Sequence, residues 1–369
     1  MENLMKQYIE LYGTPDRIID VKETIAFQLA VFNPNEEDDI PETTITSIGL
    51  SPHAKNRFEI EIDILGKPSE KTMAEIGPFL YKLFEKLKNE TVTEGNICTD
   101  MPVPSFGQMD AQWISVANSS DYLSGPDGIG QVVRVLPLFK EEAKALEQAP
   151  PHLRLLVMEG RNPLYADPGR EAMDIFHLTM ARLWKWIAGK YEKIGAIDAA
   201  LLHERLKSAK KSNFTKLEAE LGINIPPDFT ASFDFHQNME IEECLMLSEE
   251  KMLAEWRVMN EINDSGKFEA ARDKIRDDER VQHVWWHKKW IPIAEDVWHR
   301  DLIVIDMEPG PKGVVGQLLI WNRYEGAFYR FDSFYEWIDF LYSGLGRGKY
   351  TLNENGKLKN PDGGGGIYP

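Results

Sequence analysis

The stretch RFEIEIDIL (57–65) carries the plainest pattern in the chain. Phe58, Ile60, Ile62 and Ile64 interleave with Glu59, Glu61 and Asp63, the period-2 signature of a strand whose two faces differ. Carboxylates at alternate strand positions are most simply a solvated face, so a half-buried strand is expected. Helical spacing occurs on either side of it. Leu4, Met5, Tyr8, Ile9 and Tyr12 form one stripe, stopped by Gly13. Met73, Ile76, Phe79, Leu80, Leu83, Phe84 and Leu87 form a second, interrupted only by Pro78. QWISVAN (112–118) and IGQVVRVLPLF (129–139) read as buried strands, and the latter runs into the helix KEEAKALEQA ahead of Pro150 and Pro151.

GRNPLYADPGR (160–170) has turn-forming residues and no period, the composition of a connector. Beyond it the spacing predicts helices near 174–194 and 197–221, a corner at GINIPPDF and a charged helix over about 248–280. Strands near 301–307 and 314–321 follow, then a closing helix from Ser333 to Leu345. NENGKLKNPDGGGGIYP has no apolar period and is expected to be a flexible tail. The resulting expectation is an α+β protein of two domains, 1–165 and 174–348, each a mixed or mainly antiparallel sheet packed with helices, with a tail over 349–369.

Composition narrows the class. A chain of 369 residues, 43% hydrophobic, exceeds a single core and is too apolar to be disordered. No apolar run reaches the ~18 residues that span a bilayer. MENLMKQYIELYG also lacks the basic-then-apolar order of a signal peptide, so a cytoplasmic protein without a membrane partner is expected. Cys98 and Cys244 stand far apart with no CxxC, which leaves nothing to build a disulfide framework or thiolate metal site. The net charge is −18, and both halves are acidic: residues 1–165 hold 15 Lys/Arg against 26 Asp/Glu, the remainder 27 against 34. Such a field repels phosphate backbones, so no direct nucleic-acid binding is expected, and it speeds encounter with a basic protein. Solubility alone is the plainer reading of the same charge.

Candidate chemistry fares poorly. His283 and His287 are four apart and would share a helix face, with Asp296 and His299 close behind. The HExxH pattern fails because Val284 stands where its general-base Glu belongs, so no metal is assigned. GPDGIG (125–130) and EPGPKGVVG (308–316) offer glycines without the order, flanking elements or GK[ST] of a phosphate cradle, and no cofactor is assigned. There is no GxSxG, and neither cysteine has a catalytic signature. KSAKK (207–211) reads as the solvated face of a helix. No catalytic residue is named, and a binding protein rather than an enzyme is expected.

The stretch WWHKKWIPIAEDVWHRDLIVIDMEPGPKGVVGQ (285–317) concentrates four tryptophans. Leu302 to Met307 form an almost wholly apolar strand, buried on both faces. Pro309, Gly310 and Pro311 then turn the chain into a second strand, with Trp290, Trp298 and Trp321 packed around the hairpin. WIPIA (290–294), LIVIDMEPGPKGVVGQ (302–317), SFYEWIDFL (333–341) and the upstream TKLEAELGINIPPDF (215–229) together resemble the SUKH superfamily, in the branch named for the yeast killer-toxin-resistance and cell-wall regulator. That resemblance covers roughly 178–345. Two departures stand out: Gln237-Asn238-Met239 lacks the glycine of the usual Asn-Gly, and the spacer after WIPIA reads EDVWHRD in place of a small glycine-containing loop. TTITSIGLS (43–51), RFEIEIDIL, the helix over 70–89 and VVRVLPLFKEEAKALE (132–147) resemble the bacterial suppressor-of-fused domain over roughly 20–160.

The paired resemblance implies a bacterial immunity protein that binds and silences a toxin used in competition between cells. A nuclease is the expected toxin, its basic cleft occluded by an acidic surface. The alternative is a regulatory scaffold that binds a signalling or transcription protein. Glu295, Asp296, Trp298, His299 and Arg300 are the expected partner-binding residues, as charges flanking an exposed aromatic. Trp290, Pro292, Asp306, Pro309 and Gly316 are read as motif residues that define the fold.

Overall fold

The computed structural model describes residues 2–34, 41–93, 95–102, 109–118, 131–149, 154, 167, 169–208, 212–269, 275–296 and 301–359. The chain is α+β and divides into two compact units between Ile175 and Phe176.

In the first unit, helix α1 (Glu2–Tyr12) ends at Gly13, whose φ of +82° lets its N–H reach back to the Ile9 carbonyl at 2.9 Å. Seven strands follow: β1 (Arg17–Lys22), β2 (Ala26–Phe32), β3 (Glu42–Ile48), β4 (Phe58–Leu65), β5 (Ile97–Cys98), β6 (Met109–Asn118) and β7 (Gln131–Phe139). Their order is β1-β2-β3-β4-β7-β6-β5, with β4 and β7 parallel and the other neighbours antiparallel. Helix α2 (Glu70–Leu87) starts at Ser69, whose hydroxyl accepts from the Thr72 N–H, and runs through Pro78. Its buried stripe packs with Phe58, Ile60, Ile62 and Ile64 on one face of the sheet. Gly77 allows the close approach: a Cβ there would come within 2.9 Å of a Val21 methyl.

The opposite face of β4 corrects the expectation of a solvated carboxylate row. Glu59 and Glu61 are each 1% exposed and Asp63 9%. Burial is tolerated because each acid has donors waiting. Glu59 accepts from the Ser47 hydroxyl at 2.6 Å and from the N–H groups of Gly49, Leu50 and Ser51. Arg134 donates to Glu61 at 2.8 Å and stands 3.3 Å from Asp63, which also accepts from the Thr44 hydroxyl. Helix α1 lies on this face: Tyr8 clusters with Ala30, Phe32, Ile48 and Val132, its hydroxyl 2.9 Å from that of Thr46, while the Tyr12 hydroxyl donates to Glu61. Helix α3 (Lys140–Gln148) then leaves β7. Its buried Glu142 accepts from the Phe139 and Met173 N–H groups and takes both arms of the Arg170 guanidinium.

The second unit opens with α4 (Ile175–Ile194), α5 (Ala199–Ser208), α6 (Thr215–Leu221) and α7 (Pro227–His236). One helix was expected over 197–221; instead Asn213 accepts from the Thr215 N–H and starts α6 afresh. The meander β8 (Glu240–Ile241), β9 (Cys244–Met246), β10 (Trp290–Asp296), β11 (Asp301–Asp306), β12 (Gln317–Asn322) and β13 (Gly326–Phe331) is antiparallel throughout, in the order β13-β12-β11-β10-β9-β8. Every residue of β11 is buried, and its antiparallel pairing with β12 across the Pro309–Pro311 turn is the expected hairpin. Helix α8 (Glu249–Asp264) stops well short of 280, at Ser265 and the left-handed Gly266. Helix α9 (Phe334–Gly346) is capped by the Ser333 hydroxyl.

A small hairpin, β14 (Thr351–Leu352) with β15 (Leu358–Lys359), replaces the first part of the expected flexible tail. Polar sequence concealed its anchors. Tyr350 is buried against Gly344, and Lys357 holds both oxygens of Asp198 at 2.8 Å. Residues 360–369 of that tail lie outside the described residues. Cys98 and Cys244 are both buried, unbridged thiols. Among the described residues no helix is long and apolar enough to cross a membrane.

Candidate partner-binding site

Two of the expected interface residues, Glu295 and Asp296, fall at the end of β10. Strand β10 runs on through Glu295 and Asp296, which pair with Leu245 and Cys244 of β9. Asp296 is therefore not part of an exposed spacer. It is 1% exposed and accepts from the Asp301 N–H at 3.0 Å, while Asp301 in turn accepts from the Asn322 amide. These bonds tie β10, β11 and β12 together at one end. Glu295 is half-buried. Trp298, His299 and Arg300 lie outside the described residues.

Beside Glu295 a groove of about 370 Å³ opens between α8 and this end of the sheet. Met259 of α8, Leu302 of β11 and Trp321 of β12 are buried residues that line it. Trp321 is fixed by its indole N–H, which donates to the Trp285 carbonyl at 2.8 Å. Val258, 47% exposed, stands at the mouth beside Ile262. Among the described residues, Glu255, Glu295 and Asp301 give the lining three acids against one base, Arg323. Sequence reasoning reached Glu295 but not the α8 side, because nothing local says which face of a charged helix meets a sheet.

The motif residues lie toward the opposite end of these strands, where Trp290 pairs with Asp306 and the chain turns from β11 to β12. Trp290 is fully buried, its ring edge-on to Trp286 at 5.7 Å. Pro292 sits opposite Val304 where β10 bulges. Asp306 accepts from the Gln317 amide at 2.9 Å and from the Glu308 N–H at 3.0 Å, and burial pushes its pKa up. The Pro309 carbonyl accepts from the Gln282 amide. Gly316, at φ +93°, donates to the Asp306 carbonyl at 2.8 Å with Pro226 beside it.

His283 and His287 do not share a helix face, because residues 281–289 form turns and bends. His287 lies 3.9 Å from Glu308. Among the described residues no three His, Cys, Asp or Glu side chains group where they could hold a metal ion.

Three polar features escaped the sequence reading. Asn238 takes φ +55°, so asparagine itself supplies the left-handed residue that the missing glycine would have given. The two-residue turn between β8 and β9 puts Glu242 at φ +51° and Glu243 at φ +68°, positions usually left to Asn-Gly. Glu242 is buried, and its carboxylate accepts from the Trp337 indole and the Tyr350 hydroxyl. Burial pushes its pKa up against those two bonds. His236 is fully buried among Trp184, Phe229, Phe233 and Phe334, and burial there lowers its pKa to about 3.

Residues 208–339, from the end of α5 into α9, match the SMI1/KNR4 family (SUKH-1). The second unit carries an SMI1/KNR4 domain. This supports a protein-interaction domain, and the groove and all the motif residues fall within its span. The glucan synthesis regulatory protein of Neurospora crassa is 22% identical over 185 residues, 39% of this chain and 35% of that protein. The cell wall biosynthesis/cell cycle regulator smi1 of Schizosaccharomyces pombe is 30% identical over 156 residues, 36% of this chain and 29% of that protein. The chain thus spans about a third of the length of these relatives. Suppressor-of-fused proteins are structural neighbours. Drosophila Suppressor of Fused aligns with TM-score 0.37 at 11% identity, covering 51% of this chain and 55% of that one. The Sufu–Fu complex gives 0.36 at 11%, covering 48% and 92%. A homologue from Neisseria gonorrhoeae gives 0.34 at 14%, covering 46% and 94%.

Proposed function

We propose that this chain is an immunity protein that binds a protein toxin and silences it by covering its active cleft, with a basic nuclease as the toxin. The carrying observation is the SMI1/KNR4 match over residues 208–339, on the unit where a groove beside Glu295 presents, among the described residues, three acids against one base. The net charge of −18 supports the reading, since an acidic surface fits the phosphate-binding cleft of a nuclease and speeds encounter with it. The family resemblance supplies the immunity role. In this mechanism the chain transforms no molecule and needs no cofactor: burial of the cleft is the whole effect.

The test is reconstitution. The purified full chain, mixed at equal concentration with the nuclease domain encoded beside its gene, is expected to abolish nucleic-acid cleavage and to co-elute with that domain. Undiminished cleavage overturns the reading. A second reading is favoured by the two fungal relatives, both named as regulators: a scaffold that binds a cellular regulatory protein. Recovery of such a protein with the chain from its own cells, together with undiminished cleavage, selects it.

A further inference from the structure

We propose that the groove between α8 and the β10–β12 end of the SMI1/KNR4 domain seats a basic, apolar segment of the protein partner. An aliphatic or aromatic side chain would lie on the floor, and flanking Arg or Lys side chains would meet the rim. The proposal rests on the reading of the chain as a protein binder and names the place and the chemistry of binding.

Three observations point to this occupant. First, the floor is apolar and rigid. Met259, Leu302 and Trp321 come from three different elements, and the Trp321 ring is held by its bond to the Trp285 carbonyl. A preformed apolar floor binds without ordering costs of its own. Second, the volume of about 370 Å³ falls at the lower end of the ~300–1,000 Å³ typical of ligand sites, room for one or two large side chains. Third, among the described residues the lining carries Glu255 from α8, Glu295 from β10 and Asp301 from β11 against one base, Arg323. An apolar residue entering beside these acids is best accompanied by cations, whereas an acidic segment would be repelled. The exposed Val258 gives the entering side chain an apolar ledge at the mouth. This is the anatomy of an interface anchor: a buried apolar centre inside a charged rim.

The probe is a fluorescein-labelled twelve-residue peptide of alternating leucine and arginine with blocked ends, and the readouts use the full chain. The indole N–H resonance of Trp321 is expected to shift on addition of this peptide and not on addition of its leucine–glutamate counterpart. The pair Glu255→Lys and Glu295→Lys is expected to weaken binding about tenfold. The pair Glu204→Lys and Glu354→Lys, the same charge change at exposed sites of the same unit away from the groove lining, is expected to weaken it no more than about twofold.

Val258→Asp separates seating from mere attraction. It adds an acid but removes the ledge, so seated peptide binds more weakly, while a peptide held only by charge binds more tightly. Tighter binding to Val258→Asp, equal loss in both lysine pairs, or no shift at Trp321 overturns the proposal. So does a Trp321 resonance that moves with protein concentration alone, the mark of a second copy in the groove. If the nuclease is still silenced by the Glu255→Lys/Glu295→Lys chain, the groove assignment falls and the binder reading stands. A Trp321 shift with peptide but undiminished nuclease activity sinks the toxin reading instead.

Discussion

Strand β4 of the first unit and strand β11 of the second are both central and both buried along their whole length, or nearly so. One alternates carboxylates with isoleucines; the other is apolar but for an aspartate at each end. Between those two aspartates, strand β11 needs nothing from its surroundings except shape. Strand β4 needs a donor for every acid, and these come from Ser47, Thr44, Arg134, Tyr12 and the backbone turn after β3. An alternating pattern therefore reports that two faces differ in chemistry, and it does not report that one of them is wet.

The comparison breaks hardest where a charge is put without donors. Val304→Asp in β11 is expected to unfold the second unit, since an ion buried without partners costs several kcal/mol. Hydrogen exchange in the full chain should then show β10–β12 unprotected while β2–β4 keep their protection. Protection retained in β11 would show that this strand tolerates charge as β4 does.

Removing the donors in β4 comes next. Arg134→Met leaves Glu61 and Asp63 side by side without their cation, an expected loss of about 3–5 kcal/mol in the first unit by urea unfolding. Adding Glu61→Leu should restore much of that loss, because paired burial and apolar burial are close in free energy. Failure of the second change to help would mean that Glu61 does more than answer Arg134. Burial raises the pKa of both Glu59 and Glu61 above the unfolded value, so the native first unit takes up protons more readily than the unfolded chain. Their contribution is greatest below the unfolded pKa and declines as pH rises through the folded one.

His236 sharpens the contrast from the second unit with the opposite sign. Its folded pKa of about 3 lies below the unfolded value, so the unfolded state binds the extra proton. Stability then falls as pH drops below about 6.5. His236→Phe should remove that slope. Relative to the parent it should gain about 2 kcal/mol between pH 8 and pH 5, read as the difference in urea midpoints at the two pH values. Taking the difference cancels the proton uptake of Asp228, Glu242 and Asp306 in the same unit. An unchanged difference would place the proton elsewhere. The smallest effect is expected at Asn238: alanine there should cost about 1 kcal/mol from the left-handed φ, and glycine much less.

How much of this was legible in the sequence follows the same division. Strand β4 and helix α2 announced themselves because their apolar positions repeat with the period of the element, and β7, β11 and β12 as near-continuous apolar runs. The reversal at Pro309–Pro311 was legible because Pro and Gly preset a turn there. Errors arose where the deciding contact is distant. Nothing in FEIEIDIL reveals that α1 and Arg134 will close over it, and nothing in the polar run after Gly348 reveals Asp198 waiting for Lys357. The Glu242-Glu243 turn carries no turn signal at all, because its left-handed backbone is compensated by Trp337 and Tyr350, some hundred residues away. Gly266 was a readable stop for α8 that helical periodicity overrode.

The small closing hairpin works as a clasp on the second unit. Lys357 grips Asp198 ahead of α5, Gly356 receives the Ile197 N–H, and Tyr350 reaches the Glu242 carboxylate while lying on Gly344. Cutting the chain after Gly346 would therefore bare an acid at the foot of α5, an acid in a tight turn and the flank of α9 in a single stroke.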